Sequence, residues 1–246
     1  MGSDWNPNQA LSVDLLLALL EFVEGQIREA EVPVELNRWV VAHTYIVVEY
    51  VLSMRGPEGF LLDLDSTNRY WAGLKQDSEV IYICLRGQVK GEHGERCHVL
   101  PCVPLTSSGI NVRESVERLL KLKRLQGHED GPAISSVKGR VFSTHSVNDC
   151  FVDGLVDLFE SRRELFPPRA SSLDEVRKIY HVYRSLRRSS DSRALDMQVP
   201  GEDIDVVNRW EGVEAAKGKR PNRTMKQHYA DILMMEKPFK RYTWAM

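Results

Sequence analysis

The sequence predicts a mostly helical α+β domain carrying one small antiparallel sheet. Apolar residues recur at helical spacing through most of the chain. One region alone, 80–85 and 97–103, concentrates β-branched and aromatic residues on both sides of the polar turn 91–95, which reads as a hairpin. The 246 residues, 42% hydrophobic and 28% charged, are enough to bury a substantial core.

In chain order, residues 1–11 read as a disordered lead and 12–246 as one domain. Ser12 is placed to cap a first helix in which Leu15, Leu16, Leu19, Leu20, Val23 and Ile27 share a face. A second helix follows Pro33, with Leu36, Trp39, Val40, His43, Ile46, Val47 and Tyr50 along one side, and ends where Gly56-Pro57 breaks the pattern. His43 on that face reads as a packed core residue. After the hairpin, with a short third strand expected near Tyr70-Trp71, helices are expected over 111–125, 146–160, 173–183, 186–197 and 203–216, then a short piece at 224–235. The segments 127–132 and 167–172 read as loops, and no internal repeat is present.

No apolar run reaches the roughly 20 residues needed to cross a bilayer. The stretch 15–20 lacks the basic flank and cleavage site of a secretory leader. The chain is therefore expected to be intracellular, without membrane contact, and nuclear if it comes from a eukaryote. Cys84, Cys97, Cys102 and Cys150 form no CxxC pair and are too few for a disulfide framework. His93, Cys97, His98 and Cys102 cluster in sequence, but a second ligand pair at zinc spacing is missing. Small residues on strands are the preferred reading, and no metal is expected. Net charge is −2 but unevenly spread: residues 177–246 hold 15 Lys/Arg against 9 Asp/Glu, and the rest hold 18 against 26. Such asymmetry suits an anionic partner.

Cleaving a phosphodiester while conserving its bond energy needs a nucleophile that stays on phosphorus, cations around the non-bridging oxygens and a proton donor for the departing 5′ oxygen. Tyrosine, paired arginines and lysine can fill those roles, arginine because its planar fork binds two oxygens and never loses its charge. The sequence supplies such parts in a definite order. Arg55 stands at a helix end with Glu58 three residues on. Lys90 lies at the hairpin tip, and Arg184-Ser185-Leu186-Arg187-Arg188 opens a helix. Trp210 closes Val207-Asn208-Arg209-Trp210, and Tyr229 lies in Thr224-Met225-Lys226-Gln227-His228-Tyr229.

This ordered set, from about Ser12 to Ile232, resembles the catalytic domain of the tyrosine recombinases, the phage-integrase family. Arg-Ser-Leu-Arg-Arg and Asn-Arg-Trp are most similar to recombinase-like genes of eukaryotic mobile elements. The resemblance implies a recombinase-type fold in which Arg55, Lys90, Arg187 and Trp210 surround the phosphate and Tyr229 attacks it. It also implies a 3′-phosphotyrosyl intermediate, double-stranded DNA as partner, self-association during synapsis and no cofactor. Family members carry an N-terminal clamp domain, which is expected to be absent here because the first helix already reads as catalytic-domain.

Two departures stand out. Arg184 occupies the place of the histidine expected three residues before the second arginine; His181-Val182-Tyr183-Arg184 is an alternative His-x-x-Arg. The stretch 211–222, longer than in compact members, holds Lys217, Lys219 and Arg220 as expected DNA contacts. Tyr242 is a competing nucleophile, expected in a frayed tail. The alternative to an active enzyme is a domesticated domain that binds DNA without cutting it. A third class, a helical protein-interaction module, would bind with weak salt dependence.

Overall fold

The computed structural model describes residues 9–87, 96–208 and 232–246. Packing begins before Ser12: Gln9 N donates to Ile179 O at 2.7 Å and Leu11 N to Ser189 Oγ at 2.7 Å, with Leu11 buried. Ser12 Oγ then accepts from Leu15 N (3.2 Å) and starts α1, Val13–Glu29. Proline at its N-terminus, where no amide partner is needed, opens α2, Pro33–Val51. From Val40 to Val51 every α2 residue is buried, so this helix is the axis of the domain and not an amphipathic surface element.

Around α2 stand α4 (Val112–Leu125), α5 (Thr144–Ser161) and α7 (Val182–Asp196), with α1 packed on α2 and α5. The α1–α5 approach is set by Gly154, where a Cβ would fall 2.5 Å from Leu19 Cδ1. Asn111, Ser143 and Ser172 cap α4, α5 and α6 (Leu173–Ile179) as Ser12 caps α1. The helix expected over 173–183 breaks at Tyr180-His181, which are extended. Side chains take the amides there: His181 N donates to Ser185 Oγ (3.0 Å) and Val182 N to Asn148 Oδ1 (3.1 Å). In consequence α7 starts four residues earlier than expected and carries Arg184 and Arg187 on one element.

The hairpin forms as expected from β1, Ile81–Gly87, and β2, Arg96–Cys102, antiparallel with Ile81 opposite Cys102 and Gly87 opposite Arg96. The expected third strand at Tyr70-Trp71 is instead the end of α3, Leu64–Trp71, which Asp63 caps through Ser66 N at 2.8 Å. Among the described residues the outer edge of β1 meets a single bridge, Leu62 to Leu85, and Trp71 Nε1 donates to Tyr82 O at 2.8 Å. Strand alternation puts Cys97 and Cys102 on opposite faces of β2, one exposed and one buried. His93 lies outside the described residues.

After α8 (Gly201–Asn208), the last element is α9, Ile232–Ala245, packed on β2, α7 and α8. The tail expected to fray is held: Ser107 N donates to Trp244 O (2.7 Å), Val103 N to Thr243 Oγ1 (3.1 Å) and Arg193 Nε to Ala245 O (3.1 Å). No helix among the described residues is long and apolar enough to cross a membrane.

His43 is core, as expected, but also the centre of a polar clamp. Its Nδ1 lies 2.9 Å from Ser115 Oγ on α4 and its Nε2 3.1 Å from Glu24 Oε1 on α1, and Arg118 holds Glu24 at 2.7 and 2.6 Å. Burial, seconded by Arg118 and opposed by Glu24, lowers the imidazole to about 4. Neutral, it donates from Nε2 to the carboxylate and accepts from the serine. Between about 6.5 and 4 the unfolded chain binds the proton that the folded chain refuses, so stability present above pH 6.5 is lost as pH falls through 4. Urea midpoints should fall across that window, by about 3 kcal/mol at most in free energy, and His43→Gln should flatten the profile there.

Candidate functional site

The C-terminal end of α2 sets the site. Leu52 N donates to Val48 O, Ser53 N to Tyr50 O and Met54 N to Glu49 O, a Schellman closure with Ser53 at the left-handed position (φ 46°) that glycine usually fills. A serine there costs on the order of 1 kcal/mol, and its side chain explains its presence. Ser53 Oγ reaches Asn208 Oδ1 at 2.7 Å and Asp191 Oδ1 at 3.1 Å, while its carbonyl accepts from Arg187 Nη1 at 3.0 Å.

Two residues on, Arg55 precedes a 3-10 turn, Gly56–Leu61. Its amide donates to Glu58 Oε2 at 2.8 Å, so Glu58 fixes the backbone of the arginine from below. Gly59 seats the turn: its amide donates to Glu49 Oε1 (3.1 Å), and a Cβ would lie 2.7 Å from that oxygen and from the Tyr45 ring. The Arg55 guanidinium then donates through Nη2 to Asn208 O at 2.9 Å.

The same carbonyl accepts from Arg187 Nη2 at 3.2 Å. Two arginines far apart in sequence thus meet on one oxygen, filling both of its lone pairs. That oxygen is itself held, because Asn208 is buried and its Nδ2 donates to Asp191 Oδ1 at 2.6 Å. Two cationic forks converging from different elements on one acceptor form a geometry suited to an anion with several oxygens.

Of the other residues singled out by sequence, Arg184 lies in the first turn of α7 and is exposed, one turn before half-buried Arg187. His181 is the N-cap residue of α7, its ring 5.2 Å from that of Tyr183; burial, with Arg184 adding, lowers its pKa. Lys90, Trp210, Lys217, Lys219, Arg220 and Tyr229 lie outside the described residues. The strands that flank Lys90 are in place, and Asn208 is two positions before Trp210.

Tyr242 requires correction as a competing nucleophile. It is fully buried within α9, with its hydroxyl 2.8 Å from Ser190 Oγ and donating to Asp191 Oδ1 at 3.0 Å. Burial and the neighbouring carboxylate raise its pKa well above the ordinary phenol value. Ser53, Asp191 and Asn208 are the site residues that sequence reasoning missed. The only available signals were a serine in the usual glycine slot of a helix end and the position of Asp191, four residues after Arg187.

No protein-family model matches the chain, and no curated protein matches it by sequence. Two solved structures match by fold. One is the XerH site-specific recombinase bound to its difH substrate in a pre-cleavage complex, with TM-score 0.51, 12% identity, and 93% of this chain and 52% of that one covered. The other is XerH on a palindromic difH substrate in a post-cleavage complex, with TM-score 0.51, 12% identity, and 92% and 52% covered. This chain therefore spans about half the length of those recombinase chains. It shares its fold with those recombinase structures, and among the described residues that fold is mostly helical with a two-stranded antiparallel sheet.

Proposed function

We propose that this chain breaks and rejoins DNA strands as a site-specific recombinase or integrase does, with Tyr229 as nucleophile. The observation that carries the reading is the meeting of Arg55 and Arg187 on Asn208 O, within a fold shared with a recombinase that was solved on its DNA substrate. A phosphate oxygen carries more charge than a peptide carbonyl and would compete for both forks. The Tyr229 oxygen, its phenol proton passing to water, would then attack phosphorus, forming a 3′-phosphotyrosyl bond as the bond to the 5′ oxygen breaks. Lys90 would give that oxygen its proton. Attack by the 5′ hydroxyl of another strand reverses the step and frees the tyrosine. The bond energy stays in the covalent link, so no nucleotide is required, and the arginines supply the positive charge that a metal would otherwise bring.

A nicked duplex that loses its short 5′ fragment after cleavage tests this: the protein should become attached to DNA in a complex that survives denaturant. Exposed Arg184, where the family has a histidine, favours a second reading, DNA binding without cleavage. Binding with a steep salt slope and no adduct on any nicked duplex would establish that reading instead.

Under either reading, duplex binding should weaken with salt, since each neutralised phosphate releases about 0.9 counterion. Replacing Lys217, Lys219 and Arg220 together by alanine should lower the slope of log K against log salt by up to about three. An unchanged slope would place these residues away from the DNA.

A further inference from the structure

Asp191 lies on α7 four residues after Arg187, hence on the same face one turn along. A single oxygen of its carboxylate, Oδ1, gathers hydrogen bonds from three other elements. Asn208 Nδ2 donates from the end of α8 at 2.6 Å and the Tyr242 hydroxyl from α9 at 3.0 Å, while Ser53 Oγ, at the end of α2, shares its one proton between this oxygen at 3.1 Å and Asn208 Oδ1 at 2.7 Å. Two of those donors belong to the residues whose carbonyls receive the arginines: Ser53 O takes Arg187, and Asn208 O takes both Arg187 and Arg55. The third donor fixes the carboxylate from the other side and is itself buried against Ser190.

We propose that Asp191 is the positioning residue of the two-arginine clamp, orienting Arg55 and Arg187 for a DNA phosphate through Ser53 and Asn208, with Tyr242 locking its carboxylate. Chemistry selects an acid for this place. A carboxylate oxygen accepts several hydrogen bonds at once, and charge-assisted bonds are roughly twice as strong as neutral ones. Asparagine would keep the volume but lose the charge; alanine would release Ser53 from one of its acceptors and leave the Asn208 amide and the Tyr242 hydroxyl each to find another. The left-handed Ser53 makes the arrangement sensitive, because its backbone has a reason to relax once its hydroxyl keeps only Asn208 Oδ1 as an acceptor.

The catalytic consequence rests on the recombinase reading above; the geometric one does not. The experiment therefore uses two readouts on the full chain with Asp191→Ala, Asp191→Asn and Tyr242→Phe. The first is guanidinium proton exchange of Arg55 and Arg187 in nitrogen-edited NMR spectra, assigned with Arg55→Lys and Arg187→Lys. The second is the rate of adduct formation on the nicked duplex beside the Kd for intact duplex. For Asp191→Ala we expect exchange at both arginines to quicken and the rate to fall about 10- to 100-fold, with Kd changed less than about threefold. Asp191→Asn should fall between that variant and the wild type, and Tyr242→Phe should lose only a few-fold in rate.

Unchanged exchange at both arginines overturns the proposal, whatever the activity. Rate and duplex affinity falling in parallel with a lowered melting temperature overturn it too, by reducing Asp191 to a fold-stabilising residue. If Asp191→Ala does not fold, the graded pair Asp191→Asn and Tyr242→Phe decides by the same criteria. If the wild type forms no adduct, the recombinase reading fails, and the arginine exchange still decides whether Asp191 positions the clamp.

Discussion

Tyr229→Phe protein should form no denaturant-resistant complex with a nicked duplex, while Tyr242→Phe should still form one. Removing one oxygen at position 229 takes away the proposed nucleophilic atom and keeps the ring, so folding and duplex binding should persist. The contrast with Tyr242 follows from its surroundings. A phenol that is fully buried and donates to Asp191 has no path to a phosphate and holds its proton tightly. Losing that hydroxyl removes two hydrogen bonds of a buried group, to Asp191 and to Ser190, together worth on the order of 1–3 kcal/mol of stability. Electrophoresis under denaturing conditions with labelled DNA reads both variants at once. Adduct retained in Tyr229→Phe would disprove the assignment of the nucleophile, and adduct lost in Tyr242→Phe without loss of fold would reopen the role of α9.

How much of this was legible beforehand differs between elements for physical reasons. The helix starts at Ser12 and Asn111 were readable because these residues announce themselves locally, by a side chain that bonds an amide within the next turn, whereas the helix expected from 146 begins at Thr144 behind Ser143. The hairpin was readable from its β-branched and aromatic runs on either side of a polar sequence. The break at Tyr180-His181 was not, because the partner that stabilises it, Asn148, arrives from another helix. Nor was the burial of Tyr242, since a tail of mixed polarity folds into a helix only when α7, α8 and β2 are there to receive it.

The site divides in the same way. Arg55 and Arg187, which meet on Asn208 O, were singled out because the expected chemistry calls for that residue type, and type is what a sequence displays. Ser53, Asp191 and Asn208 were missed because each is an ordinary polar residue until the others are beside it. Their bonds join the end of α2, the middle of α7 and the end of α8, and no local pattern records such a meeting. Asn208 shows the limit well. It lies two residues before Trp210, yet its contribution to the clamp is a backbone carbonyl, which carries no side-chain identity for a sequence to reveal.

Arg55→Ala and Arg187→Ala should each slow adduct formation by about 10²–10³-fold, the scale of removing one preorganised donor from a developing charge. Duplex affinity should fall much less, because the guanidinium groups interact more strongly with the phosphorane-like transition state than with the resting diester. Both arginines rest on the same carbonyl, so they act as a unit, and the double variant should lose less than the product of the two single losses. Lysine at either position keeps the charge but not the fork. Arg187 uses Nη1 for Ser53 O and Nη2 for Asn208 O, two acceptors that one ammonium cannot meet in the same geometry, so Arg187→Lys should recover only a small part of the rate. Single-turnover trapping on the nicked duplex, with Kd measured on intact duplex at the same salt, separates the two effects. Equal losses in rate and affinity would mean that the arginines only bind DNA, and full activity in Arg187→Lys would mean that charge alone is needed.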